Sequence, residues 1–148
     1  MNEIRKTGLK LLTLTIVLGW MAACSGGHTL KEVKNAQGKG TLQVYKIPFQ
    51  QVWDSVPDAV QHSGPVVVES NQFGGYFLAQ DPPSAFDSGE NIVIYVKKKG
   101  EGETEVEVIS QKAGASMFTS NSEASILQSI NVKLWERYGG VPDEKKEP

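Results

Sequence analysis

Residues 41–140 predict an α+β fold: an antiparallel sheet of about five strands with two helices on one face, in the order β-α-β-β-β-β-α. Three observations lead there. Two stretches repeat apolar residues at helical spacing, five short stretches are β-branched or alternate with period two, and the connections carry Gly, Pro, Asn and Asp.

The first strand is Thr41–Ile47, with Leu42, Val44 and Ile47 expected near one face. Pro48 then opens a helix, its fixed φ suiting a first turn. Phe49, Val52, Trp53, Val56, Ala59 and Val60 form its apolar stripe. Pro57 interrupts that stripe and removes a backbone donor, so a kink or restart is expected near Ser55. Gly64 and Pro65 end the helix. Val66–Ser70 reads as a strand, Asn71–Gly75 as a turn and Tyr76–Gln80 as the next strand. Asp81–Glu90 is a loop by composition.

Asn91–Val96 alternates, placing Ile92, Ile94 and Val96 on one face and Val93 and Tyr95 on the other. Lys97–Glu103 is a hairpin connection. In the last strand Thr104, Val106 and Val108 point inward, and Glu103, Glu105 and Glu107 are expected to face water. Lysines at the end of one strand then meet glutamates on the next, each opposite pair contributing about 0.2–1 kcal/mol. Gln111–Asn121 is a loop of small residues. Ser120-x-x-Glu123 fits a capping box for a second helix running to Tyr138, and Gly139-Gly140 and Pro142 stop it. Residues 141–148 form a charged tail. This order is similar in outline to helix-grip-like modules of several envelope lipoproteins, a likeness of fold that carries no function by itself.

The N-terminal 23 residues have a different character. Arg5, Lys6 and Lys10 precede the apolar run Leu11–Ala23, which ends in two alanines before the protein's single cysteine. A basic head, a short apolar run and a small-residue cleavage site make a secretory signal. The run is shorter than the roughly 20 residues of a spanning helix. Met21-Ala22-Ala23-Cys24 resembles the lipobox of bacterial lipoproteins, with Met21 where that family more often has Leu. The resemblance implies cleavage before Cys24, thioether lipidation of its sulfur, and acylation of the new N-terminus by chains such as palmitate. Ser25, being other than Asp, implies an outer-membrane address facing the periplasm, or the plasma membrane if the cell has only one. Residues 25–40, polar and glycine-rich, read as a flexible tether spanning on the order of 20–25 Å. The alternative is a short segment docked through Leu30 and Val33.

Charge narrows the partners. Cleavage removes three basic residues and one acid from 15 and 17, leaving 12 against 16 and a formal charge of −4. Nucleic acid wants a clustered basic footprint, so none is expected as a partner. With Cys24 lipidated no thiol remains for a disulfide, and a core must hold the fold.

Catalytic chemistry finds little material. His28 lies in the tether, and His62 closes the first helix beside Ser63 without a nucleophile elbow. Two separated histidines give no metal-ligand spacing. Gly38-Lys39-Gly40 and Gly100-Glu101-Gly102 do not lead from strand to helix as a phosphate loop must. No catalytic residue, cofactor or metal is therefore expected.

Binding has better candidates. Phe86 in the loop 81–90 and Phe118 in the loop before the second helix are aromatic residues on connections, where partner contacts concentrate. Trp53 and Trp135 sit on helix stripes, as core residues do. If helices and sheet leave a groove, these two would line it. The expectation is a lipid-anchored, non-enzymatic envelope lipoprotein binding another envelope component, a protein. The alternative is a carrier or sensor of a small apolar ligand held in a helix–sheet groove.

Overall fold

The computed structural model describes residues 29–85, 88–113 and 122–139. Its elements are α1 (Leu30–Lys34), β1 (Thr41–Tyr45), α2 (Phe49–Ser63), β2 (Val66–Asn71), β3 (Tyr76–Asp81), β4 (Glu90–Gly100), β5 (Glu103–Lys112) and α3 (Ser122–Tyr138). The strands form one antiparallel sheet in the order β1-β5-β4-β3-β2. The fold is α+β, with α2 and α3 packed on one face of that sheet.

The central strands bury both faces. Ile92, Ile94 and Val96 of β4 meet Phe77, Val106 and Val108 beneath α2 and α3. Val93 and Tyr95 of the same strand join Leu78, Tyr76 and Ile109 on the opposite, outer face. The turn between β4 and β5 is tight, with Gly100 paired to Glu103, so Lys97–Lys99 belong to the strand. Lys97 pairs in register with Glu105, and Lys99 Nζ lies 3.7 Å from the Glu105 carboxylate.

α2 runs unbroken through Pro57 from Phe49 to Ser63. The expected restart near Ser55 is absent because Trp53, Val56, Ala59 and Val60 all dock on the sheet, anchoring the helix on both sides of the proline. Ser55 Oγ donates to Gln51 O within that helix.

β1 corrects the expected face. Leu42 and Val44 pair with Glu107 and Glu105 on the outer side, whereas Tyr45 is fully buried. The tyrosine fills the inner face, and its hydroxyl donates to Asn131 Oδ1 on α3 at 2.8 Å.

α3 starts at Ser122, and Ser120 of the expected capping box lies outside the described residues. Glu123 reaches across the sheet edge instead. Its Oε1 accepts from Ser110 N at 2.9 Å, and its Oε2 accepts from Thr41 Oγ1 at 2.5 Å. The helix ends as expected, with Gly139 N–H bonded to Trp135 O.

The stretch read as a tether is largely part of the fold. Thr29 and Glu32 form a reciprocal capping box that starts α1. Val33 is fully buried on the outer sheet face and Ala36 nearly so. Gly38 and Gly40 then donate their N–H groups to Glu107 Oε1 at 2.6 and 3.1 Å. Glu107, expected in water, is consequently 4% exposed. A Cβ at Gly40 would fall 2.2 Å from Val108 O, so only glycine lets the strap pass this close to β5.

Candidate binding site

A cavity of about 400 Å³ opens at the end of the sheet where β2 begins and the β3–β4 loop folds back. β2 is an edge strand, paired only to β3, with a register shift between Val67 and Glu69. Such a bulge re-aims side chains and blunts the edge against further strand pairing. Val67 packs partly against the inner core, while Val66 and Val68 stay 60% and 48% exposed and form one wall of the cavity.

The loop supplies the facing wall through Asp81, Pro82 and Pro83, then Ser88. Gly89 closes it. Its φ of +77° and the 2.3 Å separation of a built Cβ from Asp81 O exclude a side chain there. Gly89 O also accepts from Ala113 N, which ties the loop to the end of β5.

The floor is polar. Glu90 is 3% exposed, and Lys112 Nζ lies 2.9 Å from its Oε1. Gln80 Nε2 donates to Asn91 Oδ1 at 2.9 Å across the adjoining strands. Ser88 Oγ is buried with no hydrogen-bond partner among the described residues. The cavity thus sets apolar walls over a polar floor.

The residues singled out from sequence fall in different places. Trp53 is 9% exposed, its ring 4.0 Å from that of Phe77 and 5.6 Å from that of Phe49, so it fills space between α2 and the sheet. Trp135 is 63% exposed on the outer side of α3. The two do not form a common groove wall, because one is core and the other faces solvent. Phe86 and Phe118, like Cys24, lie outside the described residues. Five residues of the loop that carries Phe86 nevertheless line the cavity, namely Asp81, Pro82, Pro83, Ser88 and Glu90. His62 is exposed at the end of α2.

Two exposed apolar features extend beyond the residues singled out from sequence. Phe73 is fully exposed at the tip of the β2–β3 turn, which Gly74 N–H fixes by donating to Asn71 Oδ1 at 2.8 Å. An aromatic residue inside the turn sequence NQFGG was the available signal. Val132, Trp135 and Tyr138 recur every third residue and form an exposed stripe on α3.

Among the described residues no group of three or more His, Cys, Asp or Glu side chains converges as metal ligands do. No described helix is long and apolar enough to cross a membrane. No family model matches the chain, and no curated protein is significantly similar to it. Its function is therefore read from its own residues.

Proposed function

We propose that this chain is a lipoprotein of the bacterial envelope, anchored through Cys24 in the outer membrane and facing the periplasm. In this reading it is not an enzyme, and its domain binds a protein component of the envelope. The observation that carries the binding role is the cavity beside β2, with exposed valines on one wall and hydrogen-bonding groups in its floor. Buried aliphatic contact there would supply affinity, at roughly 25 cal/mol per Å² of apolar area removed from water. Gln80, Asn91 and Ser88 would fix orientation. The anchor reading rests on the resemblance at Met21-Ala22-Ala23-Cys24. Two or more acyl chains hold stably where one holds only marginally.

The test is crosslinking of the natively expressed protein in intact cells, comparing wild type with Val66→Asp. Val66 is 60% exposed, so the substitution should leave folding intact. A discrete partner lost in the variant supports the reading, and a partner retained undiminished contradicts the cavity's role. Cys24→Ala should abolish palmitate labelling, and persistent labelling would end the anchor reading.

One observation favours the second reading, a carrier or sensor of a small apolar ligand. The cavity volume of about 400 Å³ lies within the range of small-molecule sites. Its place would be beside β2 rather than in a groove between helices and sheet. Native mass spectrometry of the purified protein distinguishes the two, since a carrier should bring a bound small molecule with it.

A further inference from the structure

We infer that the docked strap, Thr29–Gly40, fixes which way the domain faces the membrane: the outer sheet face lies toward the bilayer and α2 and α3 point away. The inference rests on the lipid-anchor reading of Cys24 and adds the orientation of the anchored domain.

The argument is one of reach. The strap begins on the outer face, where Leu30 packs against the cluster of Val33, Leu78, Val93 and Ile109. Its far end is pinned by Glu107, and its middle by Tyr95, whose hydroxyl donates to Lys34 O at 2.6 Å. Lys34 Nζ donates to Tyr76 Oη at 2.6 Å and sits 3.8 Å from the centroid of the same ring. That hydroxyl in turn donates to Glu69 Oε1, so the fastening of the strap extends across β5, β4, β3 and β2.

Only Ser25–His28 separate Cys24 from the cap residue Thr29. Five extended steps reach about 18 Å. To lay the helical face on the bilayer, the chain would have to pass at least one strand spacing of about 5 Å and then the sheet and helix layers. These layers are about 10 Å thick each, so the distance exceeds the reach. An undocked segment from Cys24 to Thr41 would extend to about 60 Å and impose no orientation. The docking of the strap, rather than the anchor alone, therefore keeps the helical face off the bilayer. It leaves the exposed stripe Val132, Trp135 and Tyr138 on the side away from the lipid.

The test uses the full lipoprotein purified from membranes and reconstituted into phosphatidylcholine vesicles carrying a headgroup acceptor dye. Lys31 on the strap and Gln128 on α3 are both exposed, and Lys31→Cys and Gln128→Cys each place a donor label. With the Cys24 sulfur held in its lipid thioether, the introduced thiol is the only one that reacts. Energy transfer from position 31 should exceed that from position 128 several-fold, and Val33→Asp, which undocks the strap, should collapse the difference. Equal or inverted transfer in the unmodified strap overturns the orientation. A protein that stays off the vesicles and labels at two thiols overturns the anchor reading and the orientation with it.

Discussion

The two faces of the sheet are covered by different means. Between α2, α3 and the sheet eighteen buried hydrophobic residues form one cluster, held almost wholly by apolar packing. On the outer face the cluster has seven such residues, five on the strands and Val33 and Ala36 on the single turn of helix and trailing loop that cover them, and polar fastenings do much of the holding. Burial of apolar area scales with the number of groups removed from water, so the inner face carries the stability of the domain. The outer face is a cover fastened at named points. A cover of that kind can be released without unfolding what lies beneath it, because local opening follows local contact density.

The largest expected effect breaks the inner face. Phe77→Ala removes a ring that is 2% exposed and packed tilted against Trp53, and should cost about 3–5 kcal/mol, read as a loss of midpoint in denaturant unfolding. Val33→Asp acts on the other side. A buried carboxylate without a partner cannot be accommodated, so the strap should detach. Global stability should then fall by only about 1–2 kcal/mol, while amide exchange accelerates across Thr29–Gly40. A Val33→Asp loss as large as that of Phe77→Ala would erase the distinction between the faces.

Smaller effects sharpen the same comparison. Glu107→Gln keeps one acceptor but removes the charge behind two backbone hydrogen bonds, and should cost about 1 kcal/mol at the strap. At high pH both faces should weaken. Burial pushes the phenols of Tyr45 and Tyr95 above their ordinary value of 10.0. The folded state therefore keeps protons that the unfolded chain releases. Their contribution is fully present below about pH 10 and declines as pH rises beyond it. Tyr45→Phe should flatten that alkaline decline in a pH series of thermal unfolding. The smallest effect is at Arg137, where pairing with Asp58 is solvent-exposed and Arg137→Ala should shift stability by about 0.5 kcal/mol or less.

The sheet was legible in the sequence because β-branched runs with period two mark strands directly, and β4 in particular shows apolar residues on both faces. Its strap was not. Val33 stands in a polar, glycine-rich stretch, and one buried valine gives no periodicity. The signal that existed was Thr29-x-x-Glu32, the same capping pattern recognised at Ser120-x-x-Glu123. Glu107 was misread for a related reason. Alternation tells which side of a strand a residue faces, and a cover arriving from 69 residues away leaves no mark on that alternation. At the candidate site, the loop joining the third and fourth strands was legible from its composition. The cavity itself was not, since it depends on the bulge at Val68 and on Ala113 meeting Gly89, neither of which is local.

Amide exchange at Gly38 and Gly40 tests the central claim, that the strap belongs to the fold, most directly. Both N–H groups donate to Glu107, so in the wild-type protein they should exchange far more slowly than free peptide and lose that protection in Glu107→Ala, while amides of the β4–β5 ladder stay protected. Exchange of Gly38 and Gly40 at free-peptide rates in the wild type would contradict the account and return residues 25–40 to a flexible tether.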